Sequence, residues 1–166
     1  VIYHTHSIGF AAWLLLEGVP LKGVELAQSR REKHDFVFDE NDLLHSEAKD
    51  KWRNGACFQF DQRVQELRHA VRFGSGTNVM RQGGSCGIKV EDLALAAFMM
   101  AKGHALLRAN KQTNGRFEFW IDCDQARAGV LAIAYSNSEL AKYDGLLRAI
   151  KKVINLQRCA TCQEDG

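Results

Sequence analysis

Two stretches of this chain lie over one another. Ala11-Ala12-Trp13-Leu14-Leu15-Leu16-Glu17-Gly18 aligns with Ala96-Ala97-Phe98-Met99-Met100-Ala101-Lys102-Gly103 at an offset of 85, and Leu21 then falls on Leu106. Further on the offset is 83. Phe36 meets Phe119, Asp39 meets Asp122, Trp52 meets Tyr135, Asn54 meets Asn137 and Asp61 meets Asp144. Val64, Leu67 and Val71 meet Leu147, Ile150 and Ile154, and Arg68 meets Lys151. Self-similarity at a fixed spacing is the pattern of a repeated structural unit, and it limits the fold more than any motif does. The change of offset falls in the polar segment Ser29 to Asp35, whose counterpart carries the hairpin signal Asn114-Gly115. Loops are where insertions are tolerated, so an internal duplication is expected.

Each copy reads as β-α-β-β-α-α. The first strand is Ile2 to Thr5, or Ile88 to Val90. A helix follows, with Ser7 or Asp92 placed to accept from the free N–H groups of its first turn. It ends at Gly18 or Gly103, where glycine takes the left-handed conformation at low cost. Apolar residues fill nearly every position from Ile8 to Leu16, so this helix is expected to be buried on most sides. Leu21 to Leu26 with Phe36 to Phe38, and Leu106-Leu107 with Phe117 to Ile121, form the next strands. Phe117, Phe119 and Ile121 alternate with Glu118, Trp120 and Asp122, a period of two. Asp39 and Asp122 read as caps of the following helices, about Asn41 to Arg53 and Asp124 to Tyr135. Val64, Leu67 and Val71 give the final helices, about Asp61 to Arg72 and Glu139 to Leu156, a single apolar face.

A unit of about 70 residues has little core of its own. The expected fold is therefore α+β, two tandem repeats packed about a pseudo-two-fold as a single body. Residues 1–72 form the first repeat, 73–87 a Gly-rich linker, 88–156 the second repeat and 157–166 a C-terminal tail. Five of the fourteen residues from Gly74 to Gly87 are glycine. A flexible coil of that length spans about 20 Å, enough to return the second copy to the first.

The pattern of each copy resembles a small uncharacterised family of bacteria and phages, a domain of unknown function. The residues that carry the resemblance are Tyr3 and Thr5, Ala11 to Gly18, Val24-Glu25, Phe36 to Asp39, Trp52 and Val64 to Val71. The second copy departs from the pattern, lacking counterparts of Tyr3 and Thr5 and placing Asn110 where Glu25 stands. The resemblance implies a small accessory protein of mobile-element origin and transfers no catalytic residue.

The chain has 166 residues, 46% hydrophobic and 25% charged, with a net charge of +2. These values fit a soluble globular protein and exclude a polyanion-binding tail or an acidic disordered one. A single proline excludes a Pro-rich linker. No run of about 18 apolar residues occurs, so no membrane-spanning helix is expected. No basic, apolar and small-residue segments follow one another at the start, so no secretory signal is expected. Five cysteines, Cys57, Cys86, Cys123, Cys159 and Cys162, are an odd number at irregular spacing. That pattern reads as free thiols in a reducing cytoplasm.

Chemical motifs are few. Gly83-Gly84-Ser85-Cys86-Gly87 matches G-x-S-x-G, yet lacks the strand and helix that a nucleophile elbow needs. No phosphate-binding loop is present. Cys159 and Cys162 supply two zinc ligands where a structural site wants four, so they read as exposed thiols. His4 and His6 share one side of a strand, with His45 or Glu47 as further metal ligands, but edge histidines are the simpler reading. No catalytic, cofactor-binding or metal-binding residue is assigned, and no cofactor is called for.

Two features remain. Trp120 lies opposite Phe119 and Ile121, where it fills an interface or lines a groove. The final helices carry Arg63, Arg68, His69 and Arg72, then Arg148, Lys151, Lys152 and Arg158. Paired, they would offer a basic surface to phosphates. The charge is spread thinly, with 10 basic and 11 acidic residues over 1–72 and 11 basic and 9 acidic over 88–166. The leading reading is a non-enzymatic binding or regulatory factor acting through protein contacts. The alternatives are a nucleic-acid-binding module using the basic helices, and a small enzyme with a site between the repeats. A homodimer is compatible with either binding reading.

Overall fold

Strands and helices follow the order the residue pattern demands. The computed structural model describes residues 2–25, 34–39, 45–73 and 87–161, with the backbone alone at 45–46 and 156–161. The Gly-rich segment through Cys86, the polar segment 26–33, and Cys162 lie outside the described residues. The elements are β1 (Ile2–Thr5), α1 (Ile8–Leu16), β2 (Leu21–Glu25), β3 (Asp35–Asp39), α2 (His45–Arg53) and α3 (Ala56–Phe73). They continue with β4 (Ile88–Val90), α4 (Leu93–Ala101), β5 (Leu106–Lys111), β6 (Phe117–Ile121), α5 (Gln125–Ser136) and α6 (Glu139–Thr161). The fold is α+β, with two antiparallel three-stranded sheets ordered β1-β3-β2 and β4-β6-β5.

The two sheets have matching registers. Tyr3 pairs with Phe38 and Ile88 with Ile121; Thr5 pairs with Phe36 and Val90 with Phe119. Leu21 pairs with Phe38 and Leu106 with Ile121. Each sheet has a register shift at the same place, between Leu21 and Gly23 and between Leu106 and Arg108.

Local chemistry sets the helix ends. The Ser7 hydroxyl accepts from the Phe10 N–H at 3.2 Å. The Asp92 carboxylate accepts from the Ala94 and Leu95 N–H groups at 2.7 and 3.0 Å. Gly18 and Gly103, at φ 86° and 95°, turn the chain out of α1 and α4. Asp122 is not a helix cap, and residues 40–44, which follow Asp39, lie outside the described residues. Asp39 is the last residue of β3, opposite Ile2, and lies 3.7 Å from Lys22. The cap of α5 is Asp124, two residues beyond Asp122, and it accepts from the Arg127 N–H at 2.7 Å. The helical backbone also runs on to Thr161, so Cys159 lies within α6 and not in a tail.

The chain divides into two compact units that differ from the two sequence halves. The first unit comprises Val1–Cys57 with Lys142–Gly166, and the second comprises Phe58–Ala141. Each unit therefore holds one sheet, its two following helices and the greater part of the final helix of the other half. In the first unit Tyr143 of α6 is fully buried, and its hydroxyl donates to the Gly9 carbonyl at 3.2 Å. Phe10 stacks on Trp13 at 5.8 Å and meets Trp52 at 5.4 Å in the same core. In the second unit Phe60 of α3 stacks on Tyr135 at 6.4 Å, and Tyr135 meets Phe98 at 5.4 Å. The apolar period of a helix shows which face is buried, but not which half supplies the cover.

Candidate functional site

The second unit contains an open groove of about 1600 Å³, lined by the later turns of α3, the start of α4, and strands β5 and β6. Its shape follows from how α3 divides its residues. Phe60, Val64 and Leu67 recur every three or four residues and are buried. Arg68 and Arg72, four apart, share one exposed face. Leu93 and Leu106, both half-buried, give the groove apolar walls. Lys111 and Phe117, a cross-strand pair where β5 and β6 meet their hairpin, close one side.

The charge in the groove is positive. Among the described residues its one carboxylate is Glu66, which is held by Arg63 at 2.7 Å. Arg68, Arg72 and Lys111 make no ion pair among the described residues. Two aromatic rings are presented to solvent beside these cations. Phe73 is 68% exposed and Phe117 is 38% exposed. His69 packs on Phe73 with ring centroids 4.6 Å apart.

The structure divides the six basic candidates between the units. Arg63, Arg68 and Arg72 belong to the second unit, where Arg68 and Arg72 line the groove and Arg63 is tied to Glu66. Arg148, Lys151 and Lys152 belong to the first unit, where Arg148 is bound to Asp144 at 2.8 Å and Lys151 is half-buried. Lys111, Phe73 and Phe117 were not singled out from the sequence. The alternation in β6 assigns Phe117 to the buried face with Phe119, yet it stands beyond the reach of the three-residue strand β4.

Trp120 lies on the other face of the β4-β6-β5 sheet and is half-buried. Its register neighbours are Lys89 and Arg108. Lys89 binds Glu118 at 2.9 Å and Glu91 at 3.1 Å. The hydrogen bond from Lys89, with a second from Gln112, holds the Glu118 carboxyl below its ordinary value, and the hydrogen bonds to Glu118 and Glu91 raise Lys89. This face is a satisfied cross-strand charge network.

His6 is exposed and lies against Asp35, while His4 points to solvent. Among the described residues no group of three His, Cys, Asp or Glu side chains is placed to hold a metal ion. Gly87, the last glycine of G-x-S-x-G, is needed for close approach. A Cβ there would lie 2.5 Å from Leu107 Cδ1 and 2.7 Å from the Ile121 carbonyl oxygen. Cys57 and Cys123 are buried and in no disulfide, and burial pushes the Cys123 thiol above its ordinary value. The side chains of Cys159 and Cys162 lie outside the described residues. No described helix is long and apolar enough to cross a membrane.

Comparison of the chain with family models, with curated proteins and with solved structures returned no match.

Proposed function

We propose that this chain is a non-enzymatic binding protein whose ligand surface is the groove of the second unit, and that its ligand is an anionic macromolecule. The observation that carries the reading is the set of three cations, Arg68, Arg72 and Lys111, lining one groove with no ion pair among the described residues. Small-molecule pockets typically enclose about 300–1,000 Å³. At about 1600 Å³ this open groove suits a segment of a polymer better. The reading replaces two paired helices with one helix and two strands.

The reading also takes the two halves as copies of one unit, of the kind the bacterial and phage domain resemblance suggests. Supporting this are the identical strand order, the matching registers and the shared position of the register shift. A protein partner is the second reading, favoured by Val130 and Ile133, which stand 59% and 67% exposed on α5.

Retention on immobilised heparin tests the groove. The double variant R68E/R72E is expected to elute at clearly lower salt than the parent. R148E/K152E changes the net charge equally on α6 and is expected to elute close to the parent. Equal losses in both variants would show a diffuse charge effect and overturn the assignment to the groove.

A further inference from the structure

We propose that the groove takes a single-stranded nucleic acid, with phosphates on Arg68, Arg72 and Lys111 and bases stacked on Phe73 and Phe117. The inference rests on the groove being the ligand surface. It adds the ligand class, and the aromatic rings carry it.

A surface built only for acidic protein needs cations and an apolar floor. Exposed phenylalanine beside cations is a different combination. Proteins that hold single strands use a positively charged groove for the backbone and aromatic side chains as platforms for successive bases. Phe73 and Phe117 meet that description, since both rings have solvent on them and both border the cationic lining. His69 braces Phe73 from the same helix at 4.6 Å, which limits the positions the ring adopts. Gln62 and Gln65, also in the lining, bring amide donors and acceptors that can meet base edges. A duplex keeps its bases stacked on one another and cannot offer them to a phenyl face, so the rings select single strands.

The cation count fixes the salt response. Three neutralised phosphates on a single strand give a log–log slope of about −2, so affinity falls roughly sixteenfold between 50 and 200 mM salt. Each stacked base is worth about fivefold or more in affinity.

Fluorescence anisotropy with labelled dT15, U15, a 15-base-pair duplex and a 15-residue poly-L-glutamate tests this on the full chain. Tighter binding of dT15 or U15 than of duplex and polyglutamate is expected, with a fivefold or greater loss in F73A and in F117A. F73L keeps the apolar volume and removes the π face, and it is expected to lose affinity as F73A does. If polyglutamate binds as well as the oligonucleotides, and the Phe variants are neutral while R68E/R72E abolishes both, the nucleic-acid inference falls and the groove stands. If no probe binds at 50 mM salt, or R68E/R72E binds like the parent, the groove reading falls with it.

Discussion

Cys123 shows how one side chain reports its surroundings. It follows β6 at the edge of the second unit's core, and burial is the main cause that lifts its thiol, with the Asp124 carboxylate adding to it. A raised thiol holds less thiolate at a given pH, and the thiolate is the nucleophile. Alkylation of Cys123 by iodoacetamide at pH 8 should therefore be slower than that of an unstructured cysteine. The rate should climb as pH rises past the ordinary thiol value of about 8.5 and reach the free-cysteine rate in urea. Site-resolved mass spectrometry measures this, and fast modification in the native state at pH 8 would contradict the burial. At this scale the sequence is readable where chemistry is local. Ser7, Asp92, Gly18 and Gly103 do what their residue types permit, because a cap or a left-handed turn needs only its nearest neighbours. Phe117 is the counter-example, since its exposure depends on where β4 stops.

The order of helices and strands was legible, and the misses at their ends have physical causes. Asp122 and Asp124 both stand before α5 and both are good cap residues, so composition cannot choose between them. The backbone at Asp122 is committed elsewhere, its N–H donating to the Ala105 carbonyl at 2.9 Å. Helix α3 starts at Ala56, ahead of the expected Asp61, because Cys57 and Phe60 belong to the same buried face. The caps give a quantitative expectation. Asp92 satisfies two N–H groups at 2.7 and 3.0 Å, whereas Ser7 satisfies one at 3.2 Å. Removing a cap side chain costs about 1 kcal/mol. D92A should lower the unfolding free energy by about that amount and by more than S7A does. Urea titration followed by circular dichroism measures the difference, and an equal or larger loss in S7A would contradict the assignment.

On the scale of the whole molecule, the order of strands and helices was visible in the sequence while the exchange of final helices was not. Val64, Leu67 and Val71 predict a buried stripe on α3, where Val64 and Leu67 are buried and Val71 is half-buried, and Leu147, Ile150 and Ile154 predict one on α6. Nothing in a 3.6-residue period names the half that covers the stripe. The exchange has a structural consequence. It brings the end of α3, with Arg68, Arg72 and Phe73, to strands β5 and β6 with Lys111 and Phe117, which lie in the other sequence half. The groove exists because of that exchange, and neither half contains it. Arg68 was singled out from the sequence for its charge, but its partners are more than 40 residues away along the chain. The central claim is that the second unit, completed by α3, binds through this groove. Hydrogen exchange of the full chain with and without dT15, resolved by mass spectrometry, tests it most directly. Added protection should be confined to peptides covering residues 62–73 and 106–119. Protection on α6 around Arg148 and Lys152, with none on α3, would contradict the claim.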